Sequence, residues 1–395
     1  MQVLVLNSGS SSIKFQLFKM PEATILCSGL IERIGFEDAK FTFKTNGNKL
    51  ETITSILNHN QGLTLLAKQL LNKETGVISS PHDIKIVGHR VVHGGQHFTS
   101  TTEITPEVKA KIKELSTLAP LHNPANLEGI NVAETIFSSA KQVAVFDTAF
   151  HQSIPEKAYK YAIPNSFLEN NSIRLYGFHG TSHKYVSEKA IAYLNKPNSK
   201  IITIHLGNGC SMTAVNNGKS VDHTLGFAPM NGLIMGTRSG DIDPAIIFHL
   251  VNSLDYTLEE VNTLLQKESG MLGLTGYSDL REIEAEAEKG NEQCQLALEM
   301  NAYRIKKYIG SYAAILNGLD AIVFTAGIGE NSNTMRALTC KELDYLGISL
   351  DLDKNSERSD NIREIQSDAS KVKVLVIPTN EELEIAKQSV ALIKN

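Results

Sequence analysis

The chain has 395 residues, of which 42% are hydrophobic and 21% charged, with a formal net charge of −5. A chain of this length and apolar content buries ordinary cores in two domains, which excludes an intrinsically disordered protein. The mildly acidic balance, without a long basic block, leaves no electrostatic footprint for nucleic acid and favours small-molecule chemistry.

The first expected element is a strand, Val3 to Leu6, which runs into the small polar turn Asn7-Ser8-Gly9-Ser10-Ser11-Ser12 and returns as an alternating strand carrying Lys14. These opening residues lack the charged and apolar regions of a signal peptide. No apolar run approaches the roughly 20 residues of a bilayer span, so a cytoplasmic protein with no membrane partner is expected. Further strands are expected at IKIVGHR (84–90), QVAVFD (142–147), KIITIHLGNG (200–209), LDAIVFTAGIG (319–329) and KVKVLVIPTNEE (371–382). Between them PEVKAKIKELSTLAP, NPANLEGINVAETIFSS and the stretch from Glu282 to Leu316 carry helical periodicity. The alternation predicts an α/β protein, in which ligands sit beyond the carboxyl ends of strands. Functional residues are therefore expected at the polar and Gly-rich tips.

VLVLNSGSSSIKFQLF and ITIHLGNGCSMTAVNNG both read strand, Gly/Asn/Ser turn, strand, as if one hairpin opened each of two domains. Glycines in such a tip let successive backbone N–H groups point into a concavity, and small hydroxyls add donors without bulk. A repeated tip of this kind suits phosphate better than a plain tight turn does. Three other patterns carry less. Gly218-Lys219-Ser220 lacks the earlier glycine of a P-loop, since Thr213 stands there, and Asn217-Gly218 reads as a hairpin turn. His89, His93 and His97 have helical zinc spacing, but Gly94-Gly95 and the preceding strand argue against a helix. Gly327-Ile328-Gly329 lacks the third glycine of a dinucleotide fingerprint. The four cysteines, Cys27, Cys210, Cys294 and Cys340, are scattered singly and read as reduced thiols.

NSGSSSIKF, GHRVVHGG, FDTAFH, YGFHGTSH, HLGNGCS, MGTRSGDIDP, FTAGIGEN and PTNEEL, in this order from the first residues almost to the last, resemble the motif series of the acetate kinase family. The resemblance implies two duplicated ribonuclease-H/actin-like domains of the sugar kinase/Hsp70/actin superfamily with a cleft between them, here 1–149 plus 383–395 and 150–382. It also implies a homodimer and a phosphotransferase that makes acetyl phosphate and ADP from acetate and ATP, reversibly and by direct in-line transfer. Mg2+ is the implied cofactor, with Mn2+ as its substitute. Propionate kinase is the near alternative and a non-catalytic actin-like nucleotide-binding protein the far one.

Carried over residue by residue, Asn7, Ser10, Ser12 and Lys14 match the family's hairpin facing the transferred phosphoryl group. His205, Leu206, Gly207, Asn208 and Gly209 match the loop that holds the nucleotide phosphates. Asp279, Leu280 and Arg281, with Gly327, Ile328, Gly329, Glu330 and Asn331, match the adenosine end. The reactants are all anionic, so the site must supply cations. Arg90 and Arg238, each after a short loop signal and expected at a strand tip, have the fork for planar or phosphoryl oxygens. His179 is assigned as a transition-state hydrogen-bond donor. Acetate has no proton to lose at neutral pH, so Asp147 is expected to orient and shape charge rather than act as a base. Asn7 and Glu381, the latter in preference to Glu382, are the implied neighbours of magnesium. Val92, two residues after Arg90 and expected on the same strand face, with Leu121 and Pro229 carried over, would line the acyl pocket.

Overall fold

The computed structural model describes residues 1–45 and 47–394. The chain divides into two units, Met1–Phe150 with Asn380–Asn395, and His151–Thr379. The second division falls before Asn380 rather than between 382 and 383, because Asn380 accepts the Leu383 N–H at 2.9 Å and thereby caps the last helix, Glu381–Lys394.

In the first unit the strands are β1 (Gln2–Ser8), β2 (Ser12–Lys19), β3 (Thr24–Glu32), β4 (Phe36–Thr45), β5 (Asn48–Ile56), β6 (Ile84–Val91), β7 (Thr102–Glu103) and β8 (Lys141–Phe146). Their order is β5-β4-β3-β2-β1-β6-β8-β7. β1 runs antiparallel to β2 and parallel to β6, which runs parallel to β8. Val3 and Val5 pack with Ile385 and Ala386 of the last helix, whereas Leu4 and Leu6 pack on the other face with Leu63, Leu66 and Ala133. Burial on both faces is why β1 reads as an unbroken apolar run rather than an alternating one.

The second unit contains β9 (Lys200–Leu206), β10 (Cys210–Asn216), β11 (Lys219–His223), β12 (Ala321–Thr325), β13 (Arg363–Glu364) and β14 (Lys373–Val376), ordered β11-β10-β9-β12-β14-β13. β9 is antiparallel to β10 and parallel to β12, which is parallel to β14. The set β3-β2-β1-β6-β8 therefore recurs as β11-β10-β9-β12-β14 with the same strand directions. The paired hairpins of the sequence are the openings of these two sheets. Helices Gly180–Leu194 and Glu292–Leu316 pack on the second sheet.

Asn217 and Gly218 have φ of 52° and 77° and form the two-residue turn between β10 and β11, so the lysine that follows belongs to a hairpin. His89 lies in β6, bonded to Gln142 at 2.8 Å, and His93 lies beyond the strand, so the histidine spacing is not helical. The four cysteines are buried and free. Among the described residues no helix is long and apolar enough to cross a membrane.

Candidate active site

The tip of the β1–β2 hairpin is tight. The Gly9 N–H donates to the Ser12 carbonyl at 2.8 Å, and His59 Nε2 donates to the Gly9 carbonyl at 2.7 Å. Asn7 lies opposite Lys14 across the hairpin, so their side chains share a face, and Ser12 precedes Lys14 on that same face. Ser10 is exposed and Ser12 half-buried. The Lys14 ammonium meets Glu382 at 2.6 Å.

Arg90, at the end of β6, binds Asp147 through Nε at 3.1 and 3.0 Å and Nη2 at 2.5 Å, and its Nη1 reaches Asn7 Oδ1 at 3.3 Å. Asp147 follows β8 directly and is 1% exposed. Burial on its own would lower the Arg90 pKa, but Asp147, Glu381 and Glu382 outweigh it and hold the guanidinium charged. Burial raises the Glu381 carboxyl, with Asp147 and Glu382 adding to the shift and Arg90 and Lys14 opposing it. Among the described residues Glu382 is taken by Lys14, whereas Glu381 makes no ion pair. Asp147, Glu381 and Glu382 set against Lys14 and Arg90 leave an excess of negative charge on oxygen donors. That donor set fits a hard divalent cation which draws most of its ligands from phosphate and water. Among the described residues no group of three or more acidic, His or Cys side chains forms an all-protein metal cage.

Val92 does not inherit the face of Arg90 by alternation, because β6 ends at Val91. It lies in the following bend, 6% exposed, with its N–H held by Asn126 Oδ1 at 3.0 Å. Leu121 precedes the helix Asn123–Ile136 and is 53% exposed, and Pro229 belongs to the second unit.

In the second unit the β9–β10 tip is Gly207-Asn208-Gly209, closed by the Gly207 N–H on the Gly209 carbonyl at 3.1 Å. A Cβ on Gly209 would lie 3.4 Å from the His179 ring and 3.8 Å from Arg238 Nη1, so both side chains reach this tip. His179 has φ of 55°, stacks on His205 with ring centroids 4.4 Å apart and meets Ser211 Oγ through Nδ1 at 2.9 Å. Arg238 sits in the long loop after β11 rather than at a strand tip, and its Nη1 donates to the Pro229 carbonyl at 3.0 Å. Among the described residues no carboxylate pairs with Arg238, and burial lowers its pKa. The Gly236 N–H donates to the Asn208 carbonyl at 3.0 Å, and a Cβ on Gly236 would come within 2.0 Å of Asn208 Oδ1. Glycine there lets the arginine loop lie directly on the hairpin tip.

Gly207, Asn208, Asp279, Leu280, Arg281, Gly327, Ile328 and Asn331 line one pocket of about 860 Å³. Asp279 caps the helix Leu280–Glu288 and pairs with Arg281 at 2.5 Å, which holds its carboxyl down at about 2. Leu206, His205, Gly329 and Glu330 are not among the lining residues. Leu206 is 1% exposed in the core, and His205 bonds Ser182 at 2.9 Å. A Cβ on Gly329 would meet Phe324 at 3.4 Å, and Glu330 accepts the Thr379 N–H at 3.0 Å. Strand ends alternate faces and short helices turn, so a contiguous motif delivers only part of itself to a pocket.

Several contributors escape a reading of the sequence. Ser278, Glu284 and Ser332 also line the pocket, and the Ser332 hydroxyl donates to Glu284 at 2.5 Å. Asn126 ties the Val92 N–H to the Ser8 carbonyl, the latter at 2.7 Å, and Asn123 holds both the N–H and the carbonyl of His93 at 3.1 and 3.0 Å. Both asparagines are buried at one helix start, where the NPAN run was the available signal.

The profile of the Acetokinase family matches residues 2–387. The chain is 65% identical over 395 residues to an acetate kinase of Flavobacterium johnsoniae, covering 100% of both sequences. Among solved structures it is similar to an acetate kinase from Porphyromonas gingivalis, with 43% identity, a TM-score of 0.94 and 99% of each chain covered. It is nearly as similar to a propionate kinase from Francisella tularensis, with 42% identity, a TM-score of 0.93 and the same coverage. The duplicated α/β architecture is thus the acetate and sugar kinase/Hsp70/actin fold of these structures. With its two matching sheets and its motif residues ordered as above, the chain belongs to the acetokinase family.

Proposed function

We propose that the chain is an acetate kinase, transferring the γ-phosphoryl group of ATP to acetate to give acetyl phosphate and ADP, reversibly and in line. The observation that carries this reading is Arg238, a half-buried guanidinium with no acidic partner among the described residues, beside a hairpin tip that lines a nucleotide-sized pocket. A cation kept without a counter-charge is arranged for an anion that arrives from solution.

The chemistry asks little of the protein beyond position and charge. The pocket takes the nucleoside, with Asn208 and Gly207 toward its phosphates, and Arg238 and His179 supply a cation and a hydrogen-bond donor to the phosphoryl oxygens. Asp147 occupies the Nε and Nη2 side of Arg90, which turns the remaining Nη1 edge toward the acetate carboxylate. Asp147 therefore orients the acceptor's arginine and has no proton to remove. Ser10, Ser12 and Lys14 add donors on the acceptor side. Asn7 and Glu381 would hold Mg2+, or Mn2+ in its place, and the cation when bound offsets the charge on the phosphate oxygens. The Ile246 and Phe248 side chains, 45% and 66% exposed on a helix with no buried residue, support the further reading of a homodimer.

The deciding assay traps acyl phosphate with hydroxylamine across formate, acetate, propionate and butyrate in the presence of ATP and magnesium. Acetate should give the highest kcat/KM; a higher value for propionate would move the chain to the propionate kinases, and no acyl phosphate would remove the reading.

Glu381→Ala is expected to raise the magnesium concentration needed for half-maximal activity, because a hard cation loses a carboxylate either directly or through its water shell. Nucleotide affinity measured without metal should change less. An unaltered magnesium titration would shift the role to Glu382 or Asp147.

Ser10→Ala and Ser12→Ala are expected to lower turnover by a similar factor for every acyl substrate, since the lost donors serve the phosphoryl oxygens. Val92→Ala should enlarge the acyl hollow and raise the propionate-to-acetate ratio of kcat/KM by about 1 kcal/mol, or roughly fivefold. Serine variants that change acyl preference, with Val92→Ala leaving it untouched, would reverse the two assignments.

A further inference from the structure

Five histidines, His151, His179, His183, His205 and His223, pack ring to ring in the second unit. One path through this cluster ends on His179. Thr203 Oγ1 lies 2.7 Å from His183 Nδ1, His183 Nε2 lies 2.7 Å from Ser211 Oγ, and Ser211 Oγ lies 2.9 Å from His179 Nδ1. Thr203, His183 and Ser211 are all 0% exposed. Burial, reinforced by His151 and His205, pushes His183 well below its ordinary pKa, so its ring is neutral and carries a single N–H.

The direction of the path follows from counting hydrogens. Among the described residues the Thr203 hydroxyl has one partner, His183 Nδ1. If His183 gave a hydrogen from Nδ1, the Thr203 O–H would be left buried with nothing to accept it, and a stranded donor is the costlier kind of orphan. Thr203 therefore donates to Nδ1, and the His183 hydrogen lies on Nε2, where Ser211 Oγ accepts it. Ser211 has one hydrogen of its own and spends it on His179 Nδ1. Every donor is used, and the hydrogen of the His179 ring is left on Nε2. An imidazolium at His179 would need Nδ1 to donate to Ser211, which reverses each step and strands the Thr203 hydroxyl.

We propose that Thr203, His183 and Ser211 form a one-way hydrogen-bond chain that fixes His179 as the neutral Nε2–H tautomer, a donor without a positive charge. The three are positioning residues acting through His179, and their relevance to turnover rests on the phosphoryl-transfer reading above. The division of labour is then clear: Arg238 brings the charge and His179 brings a directed hydrogen bond. The five-histidine cluster serves to hold a proton in place rather than to move one.

The test is the nitrogen spectrum of the full chain carrying 15N-labelled histidine at neutral pH, with His179 assigned by its loss in His179→Gln. His179 and His183 should both show a protonated Nε2 and an acceptor Nδ1. In Ser211→Ala the link is cut, so His179 should become a mixture of the two neutral forms, while kcat falls about tenfold and KM for ATP and acetate stays within about twofold. A wild-type His179 carrying its hydrogen on Nδ1, or carrying two hydrogens, would overturn the proposal, as would an unchanged His179 signature in Ser211→Ala. The wild-type spectrum decides even if that variant does not fold. The tautomer is read without turnover, so an inactive protein with the expected spectrum would contradict the kinase reading and leave the chain in place.

Discussion

Arg90→Ala is expected to destabilise the first unit as well as to abolish phosphoryl transfer, because it takes from a buried carboxylate the guanidinium that bonds it. Asp147 is 1% exposed, and the Arg90 side chain that neutralises it is 20% exposed, so water replaces little of what is lost. Urea unfolding should show the midpoint falling at constant slope. Arg90→Lys separates the two roles: it keeps a charge near Asp147 but loses the fork, so turnover should fall at least about tenfold, or about 1.4 kcal/mol of transition-state stabilisation, with a smaller loss of stability. Replacing Arg90 and Asp147 together by leucine should recover much of the stability and none of the turnover. Near-normal turnover in a folded Arg90→Lys would remove the fork from the chemistry.

Arg238→Ala should give the opposite balance. No carboxylate among the described residues depends on this guanidinium, and burial already disfavours its charge, so its removal should leave the unfolding midpoint unchanged or raised. Turnover should fall at least about 100-fold, equivalent to roughly 2.7 kcal/mol, if the cation meets charge that develops on the phosphoryl oxygens. Arg238→Lys should lose about tenfold. Steady-state kinetics and urea melts on the same preparations check both halves. A variant that unfolds early but turns over normally when folded would make Arg238 a structural residue.

The two arginines also mark how far the sequence was legible. Each was visible through its motif, but only the structure distinguishes a guanidinium tied to Asp147 from one without an acidic partner. Strand runs, the hairpin repeat and the Asn217-Gly218 turn were readable because they rest on local periodicity and turn chemistry. The bend at Val92 was not, because β6 is ended there by Asn123 and Asn126 from a helix about 30 residues away in sequence. Likewise the motif FTAGIGEN reads as one nucleotide loop, yet Gly329 is buried against Phe324 and Glu330 accepts the Thr379 N–H, and neither lines the pocket. Long-range contacts decide which residues of a motif face a ligand, and a linear pattern does not contain them.

The most direct measurement follows the oxygen. With ATP, magnesium and acetate labelled with 18O in both carboxylate positions, the 31P spectrum of the product should show acetyl phosphate with the isotope shift of a P–18O bond. The β-phosphorus of ADP should show none, because an acetate oxygen attacks the γ-phosphorus and the bridging oxygen of ATP leaves with ADP. Acetyl phosphate without that shift, or ADP formed without acetyl phosphate, would contradict direct transfer to the acetate carboxylate.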